Sequence, residues 1–504
     1  MTGYDMARNI PLVCIILTLF SGPLSLIISA RAARRWNLFV ISFVGIMNML
    51  LLAYVYSNGM FVYKMGHFPA PWGNEIRVGV LEAFMVIFFC IIMFLSMIGG
   101  ALERNAEIEE SKENLYYVMV NLLLTSLISL VYTNDLFTAY VFVEINTISA
   151  CGLIMIRQTG RTLEAATRYM IMSLLGSGLL LLGICFLYGL TGHLLMSNIK
   201  DQVELIVESG EHATALIVAV GLMSVGLAIK SALFPFHAWI PDAYGYSNVS
   251  SQAILSSLVS KGYIFLLIKI YYRVIGMEEI YRSHIVNVLF VFGICGMIFG
   301  SISAINQSNI RRTIAYSSVA QIGYIYMGFG LGTTAGMLAS VYHIFSHALA
   351  KSLLFVSASG IKEASDHKSD FFDLTGAAYR NKICGLGFTI GALSMVGFPG
   401  VSGFISKLLF AQAALDHEYK VIPTLVALAL STILNTVYFL KTVIRLYTPM
   451  DAYEENERNY RKFSFRERPA KSMACICLMV LITVFGLFSQ PIIKLCEMGL
   501  EMFS

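Results

Sequence analysis

The sequence predicts an all-α integral membrane protein of about fourteen transmembrane helices, with helices 7 and 12 broken and two inverted five-helix repeats. Three observations lead there. Only 13% of the 504 residues are charged and 57% are hydrophobic, with a mean hydropathy of +0.72, whereas soluble domains carry about 25% charged residues. Apolar stretches of about twenty residues, the length that crosses a bilayer, recur along the whole chain. Two of these stretches are too long for one straight crossing. A soluble enzyme is excluded, and no hydrophilic block is long enough to fold alone, so residues 1–504 read as a single polytopic membrane domain.

The apolar stretches centre near residues 20, 47, 90, 123, 146, 178, 221, 258, 293, 320, 346, 397, 433 and 483. The first follows a weakly basic flank without a convincing cleavage site and reads as a retained span. The longest polar stretches, 361–382 and 448–471, read as loops. Alternating loops test the count. One set holds most of the 35 lysines and arginines, including Arg31, Arg34, Arg35, Arg104, Arg157, Arg161, Arg311, Arg312 and the basic run in 441–471. The opposite set, with both termini, holds only Arg8, Lys64, Arg77, Lys200, Arg273, Arg282, Lys420 and Lys494. Because basic loops stay cytoplasmic, both termini are expected on the non-cytoplasmic side of a prokaryotic cell membrane. The net charge of +4 is small and implies no nucleic-acid partner. The nine cysteines are scattered without a CxxC pair, so no disulfide framework, metal site or iron–sulfur site is predicted.

Segments 212–240 and 384–415 would extend about 43 and 48 Å as helices, against a hydrocarbon core of about 30 Å. Each carries a Phe-Pro dipeptide in its middle, at Pro235 and Pro399, 164 positions apart, and the second adds Gly397, Gly400 and Gly403. Proline removes a donor and clashes with the preceding turn, so both helices should break there. Discontinuous helices at corresponding places in two halves point to an inverted-repeat transporter with its site near the midplane. The repeats are placed at about 112–275 and 283–446.

Five lysines lie inside spans: Lys230, Lys261, Lys269, Lys351 and Lys407. Each costs about 2.5 to 3.5 kcal/mol on insertion scales, so such residues face a bundle interior or a hydrated path. Glu144 is the one carboxylate near a span centre, and Lys230 is its expected partner; a static structural pair is the alternative. Lys261 is central in its span, while Lys269 lies near the outer end and is expected to snorkel to the interface as an anchor. His343, His347 and Lys351 recur at i, i+4 and i+8, drifting only about 80° over about 12 Å, which makes one basic stripe. No metal site is predicted there, because the carboxylates that would complete a shell are absent nearby. Lys407 follows the second break. Burial favours a neutral lysine and an ion pair the charged one, so making and breaking the Glu144–Lys230 pair would switch proton affinity along the row.

At these residues the sequence resembles the antiporter-like subunits shared by respiratory complex I, Mrp-type sodium/proton antiporters and membrane-bound energy-converting hydrogenases. The resemblance runs over about residues 70 to 450. It is carried by PAPWGNEIRV, NDLFTAYVFVE, LEAATRYMIMSLLGSG, KSALFPFHAWIPDAYG, QAILSSLVSKGYI, RRTIAYSSVAQIGY, HALAKSLLF and GFPGVSGFISKLLF. It implies a fourteen-helix subunit whose family glutamate falls on Glu144 and whose broken-helix lysine falls on Lys230. The middle relay group falls on Lys261, the basic residues of the eleventh helix on His343, His347 and Lys351, and the terminal group on Lys407, where some members carry glutamate. Two departures stand out. The PAPWG segment runs into Gly79 and Glu82 where the family has an aspartate, and the chain lacks the long lateral helix of the largest members, which resembles the D-type component of Mrp antiporters and its counterparts.

The leading expectation is a non-redox, ion-translocating subunit of a multisubunit membrane complex, moving protons with sodium as a second candidate ion. No cofactor is predicted, since the chain holds no ligand set for flavin, haem or iron–sulfur; the expected partners are other membrane subunits and the lipid bilayer. The owning complex stays open among an Mrp-type antiporter, an energy-converting hydrogenase and an NADH:quinone oxidoreductase. The alternative is a stand-alone secondary cation/proton antiporter. A third class, a membrane transferase, would need acidic loop motifs, and Asp242 is the nearest candidate.

Overall fold

The computed structural model describes residues 7–68, 73–101, 106–449 and 462–503. Residues 69–72 of the PAPWG segment and the loop cation Arg104 lie outside the described residues, as do Arg458 and Arg461 of the basic run in 441–471.

The apolar runs become helices almost one for one. The N-terminal part comprises α1 (Ile10–Ile27), α2 (Ala30–Asn58), a short antiparallel hairpin of β1 (Phe61–Lys64) and β2 (Glu75–Val78), then α3 (Val80–Gly99). Next come α4 (Glu113–Tyr132), α5 (Leu136–Met155), α6 (Gly160–Thr191) and α7 (Met196–Ser209). α7 buries Met196, Ile199 and Val203, an amphipathic i, i+3, i+7 stripe that suits a helix lying along the membrane surface. The chain continues through α8 (Ala213–Ser231), α9 (Ile240–Tyr246) and α10 (Val249–Ile275). The second half consists of α11 (Ile285–Ile305), α12 (Ile310–Leu331), α13 (Thr334–Glu363), α14 (Lys382–Val396), α15 (Ser402–Leu415) and α16 (Val421–Tyr447). α17 (Pro469–Leu487) and the amphipathic α18 (Ser489–Glu501) close the chain.

Among the described residues, twelve helices are long and apolar enough to cross a membrane. α12 has the length but is diluted by Arg311, Ser317, Ser318 and Gln321, all buried. α14 and α15 are shorter apolar helices on either side of an interruption. The helices sort into an inner and an outer set. The apolar stretches of α10 and α13 are wholly buried, whereas only 33–39% of those of α1, α2, α6 and α16 is buried. The lysines and histidines of α10 and α13 can therefore sit deep in the bundle, because protein rather than hydrocarbon surrounds them.

Helix starts repeat between the halves. Asp135 caps α5 by accepting from the Thr138 amide at 2.6 Å, and Asn309 caps α12 by accepting from the Arg311 amide at 3.0 Å. Each cap residue also forms an isolated antiparallel bridge to the segment after a later helix, Asp135 to Leu195 and Asn309 to Asp370.

Both long segments are interrupted, slightly ahead of their prolines. α8 ends at Ala232 in a left-handed conformation (φ 64°), and the Leu233 amide turns back to the Ala228 carbonyl at 2.9 Å. α14 ends at Gly397 (φ 88°), and the Phe398 amide reaches the Leu393 carbonyl at 2.9 Å. A left-handed residue with a back-reaching amide satisfies terminal carbonyls that a continuous helix would have used.

Candidate functional site

At the first break, close helix packing sets the geometry. A Cβ on Gly176 of α6 would lie 2.8 Å from the Gly226 carbonyl and 3.0 Å from Lys230 Cγ, and one on Gly226 of α8 would lie 2.6 Å from the Gly176 carbonyl. Small residues thus bring the two backbones together, as membrane helix pairs require, and the Lys230 stem lies over Gly176. Its ammonium donates to Thr147 Oγ1 at 2.7 Å and stands 3.6 Å from Glu144 Oε1. Ser177, next to Gly176, donates to the same carboxylate oxygen. Lys230 is fully buried, whereas the Glu144 side chain keeps 25% of its surface exposed. The pair therefore joins a buried cation to an anion at the edge of the bundle, and a proton or a partner charge can reach Glu144 without unfolding anything.

Deeper in, α10 and α13 bring the middle groups together. Lys230 lies 5.4 Å above the ring of Tyr263, two residues beyond Lys261 on α10. Lys261 donates to the Ser256 carbonyl of its own helix, within a π-helical turn at Leu255–Val259, the kind of local widening found at functional sites. His343, His347 and Lys351 follow one another a turn apart on α13. The two imidazoles stack at 6.0 Å between centroids, and His343 Nδ1 meets Ser406 Oγ at 2.8 Å. Lys351 donates to the Ile314 carbonyl and to Ser317 Oγ, both at 2.5 Å. Among the described residues, both ring nitrogens of His347, Ser318 Oγ and Gln321 Nε2 are buried without a hydrogen-bond partner.

The second break ends the row. Lys407, on the far side of the interruption, folds back so that its ammonium donates to the Val396 carbonyl at 2.6 Å and to Thr432 Oγ1 at 2.8 Å. It also stands 5.4 Å over the ring of Tyr324. Lys407 thus reaches back to its own break, whereas the Lys230 ammonium is spent on Thr147 and Glu144 of α5.

Of the seven expected site residues, Lys230, Lys261, His343, His347 and Lys351 are buried and Glu144 and Lys407 are partly exposed, and Pro235 and Pro399 lie in the two interruptions. Lys269 requires a correction. Instead of snorkelling, it is fully buried and donates to the Leu130, Val131 and Thr133 carbonyls at the end of α4. An ammonium has three donors and the terminal carbonyls of a helix lack intrahelical partners, so the contact satisfies both. Arg273, counted as a loop cation in the sequence, is buried within α10 and pairs with Glu82, also buried, at the start of α3. The signal was the i, i+4 spacing of Lys269 and Arg273, which continues α10 by a turn. Asp242, the candidate for transferase chemistry, is committed to Arg168 at 2.8 Å and Arg312 at 3.0 Å, bridging α6 and α12.

The structure is thus a multi-pass helical bundle with two interrupted helices and a row of mostly buried basic side chains between them. Residues 133–434 match the family described as NADH:quinone oxidoreductase/Mrp antiporter, TM. The chain is 30% identical over 441 residues to the N-type subunit of the NADH-quinone oxidoreductase of Desulforudis audaxviator, covering 86% of this chain and 85% of that one. It is 25% identical over 461 residues to the D-type component of the Na(+)/H(+) antiporter of Alkalihalophilus pseudofirmus, covering 90% of each. A chain of the membrane-bound sulfane sulfur reductase, an archaeal respiratory membrane complex, superposes with a TM-score of 0.87 at 25% identity, covering 99% of this chain and 97% of that one. This chain belongs to the NADH:quinone oxidoreductase/Mrp antiporter transmembrane family.

Proposed function

We propose that the chain is the ion-translocating, non-redox subunit of a multisubunit cell-membrane complex, and that it moves protons through Glu144, Lys230, Lys261, His347, His343, Lys351 and Lys407. The observation that carries this reading is the row itself, with Lys230, Lys261, Lys351, His343 and His347 buried between two helix breaks, the half-buried Lys407 at one end and the partly exposed Glu144 at the other. Intramembrane ionisable groups at such a density are functional by default. The relatives named above are subunits or chains of membrane complexes, which favours an assembled subunit over a stand-alone carrier. Counting α12 and the α14–α15 pair as crossings makes fourteen, in two repeats with breaks in crossings 7 and 12. The recurring caps and bridges support that division, and the loop charges support termini outside the cytoplasm. Sodium is the second candidate ion.

The test is ion transport by the intact complex in membrane vesicles carrying Lys230→Ala or Glu144→Ala. Coupled transport should vanish while the complex still assembles; full transport in both variants overturns the relay. Reconstitution of the purified single chain in liposomes addresses assembly, since robust transport by it alone would overturn the subunit reading.

A further inference from the structure

An open groove of about 780 Å³ runs along α16, walled on one side by Phe371 and Phe372. It extends over residues 432–448, about 24 Å at 1.5 Å per residue. That is close to one leaflet, about half of the 40–45 Å that a bilayer measures with its headgroups. Its chemistry changes along that length. The deep part presents Ile433, Val437 and Leu440, each about half exposed or more. The far end presents Lys441, Arg445 and Thr448. Neither Lys441 nor Arg445 forms an ion pair among the described residues; Arg445 Nε donates to the Phe371 carbonyl and its guanidinium stands 5.8 Å over Phe372. The Phe372 ring is 65% exposed at the same level.

We propose that this groove binds an anionic glycerophospholipid, with the phosphate and the acidic headgroup on Lys441 and Arg445 and an acyl chain laid along α16. Charge complementarity selects the anionic headgroup, because basic pockets beside transmembrane helices attract acidic lipids. The inner end of the groove gives the lipid a role. It stops at Thr432, whose hydroxyl accepts from the Lys407 ammonium at 2.8 Å. A seated acyl chain therefore keeps water off that flank of Lys407. This consequence rests on the proposed relay, whereas the binding does not.

Binding is tested on the full chain in its complex, incorporated into nanodiscs of equal parts phosphatidylglycerol and phosphatidylcholine and then released for native mass spectrometry. Wild type should retain phosphatidylglycerol over phosphatidylcholine by about fivefold or more, the effect of a single basic contact. Lys441→Gln removes only an exposed charge and should lose that preference. Thr436→Trp fills the groove and should lose both lipids. Equal retention of the two lipids by wild type, or an unchanged preference in Lys441→Gln, overturns the proposal. So does a photo-crosslinker at Val437 that captures another subunit instead of lipid. Transport by these variants is read separately: retention without any transport effect removes the link to Lys407 and leaves the site standing.

Discussion

The two helix interruptions share a backbone device and differ in what they do with their lysine. Both end on a left-handed residue followed by an amide that reaches back five positions. The first uses Ala232 and the second Gly397. The difference follows from the lysine. At the second break the Lys407 stem crosses the left-handed residue, where a Cβ would come within 2.7 Å of Lys407 Cδ. Lys230 instead leaves from inside α8, with its stem over Gly176. The first lysine meets a carboxylate and a hydroxyl, the second a helix-terminal carbonyl and a hydroxyl. The first break is therefore the one whose lysine stands beside a carboxylate, the pair that the proposed relay would make and break. The second holds its ammonium at the negative end of the α14 dipole.

A second acidic pair shows what a purely structural arrangement looks like. Glu82 and Arg273 are both fully buried, and the Phe503 ring lies 4.0 Å from the guanidinium, whereas Glu144 reaches the bundle edge. The largest effect on stability is expected here. Glu82→Ala should destabilise the fold by about 3–5 kcal/mol, since it strands a buried guanidinium, read as a fall in thermal unfolding temperature in detergent. Glu144→Ala also unpairs a buried cation, but Lys230 keeps Thr147 and can shed its proton, so a smaller cost of about 1–3 kcal/mol is expected, with transport abolished. If the two variants lose stability equally, the distinction between a structural and a working pair fails.

Gly397→Ala comes next. Its methyl group meets Lys407 in a backbone conformation that disfavours any side chain, so a loss of about 1–3 kcal/mol is expected, together with slowed transport. Retained transport would show that Lys407 need not touch Val396. Gly226→Ala should push α6 from α8, with a similar cost of about 1–3 kcal/mol, and should weaken transport through the displaced Lys230. The smallest change is Ala232→Gly. Relief of a left-handed alanine should raise stability by up to about 1 kcal/mol and leave transport unchanged, measured on the same vesicles.

Much of the site was legible in the sequence because its clues are local. The Phe-Pro dipeptides marked interruptions to within three residues of Ala232 and Gly397, and the i, i+4, i+8 spacing put His343, His347 and Lys351 on one buried face of α13. The role of Lys269 was misread because its position near a span end suggests an interface, while the acceptors that hold it belong to α4, more than 130 residues earlier. Ser177 and Thr147, which complete the Glu144–Lys230 pair, carry no sequence signal of their own.

By itself, the sequence determined that this is a multi-pass membrane protein, where its helices break and which residues form a basic row. Apolar length, proline and the rarity of charge in apolar segments act locally and leave a pattern along the chain. Only the tertiary structure decided that Lys407 folds back onto its break, that Lys269 caps α4, and that Arg273 closes on Glu82. A long flexible side chain reaches about 6 Å in any direction its packing allows, and its partners come from helices far away in sequence, so the pairing exists only once the helices are packed.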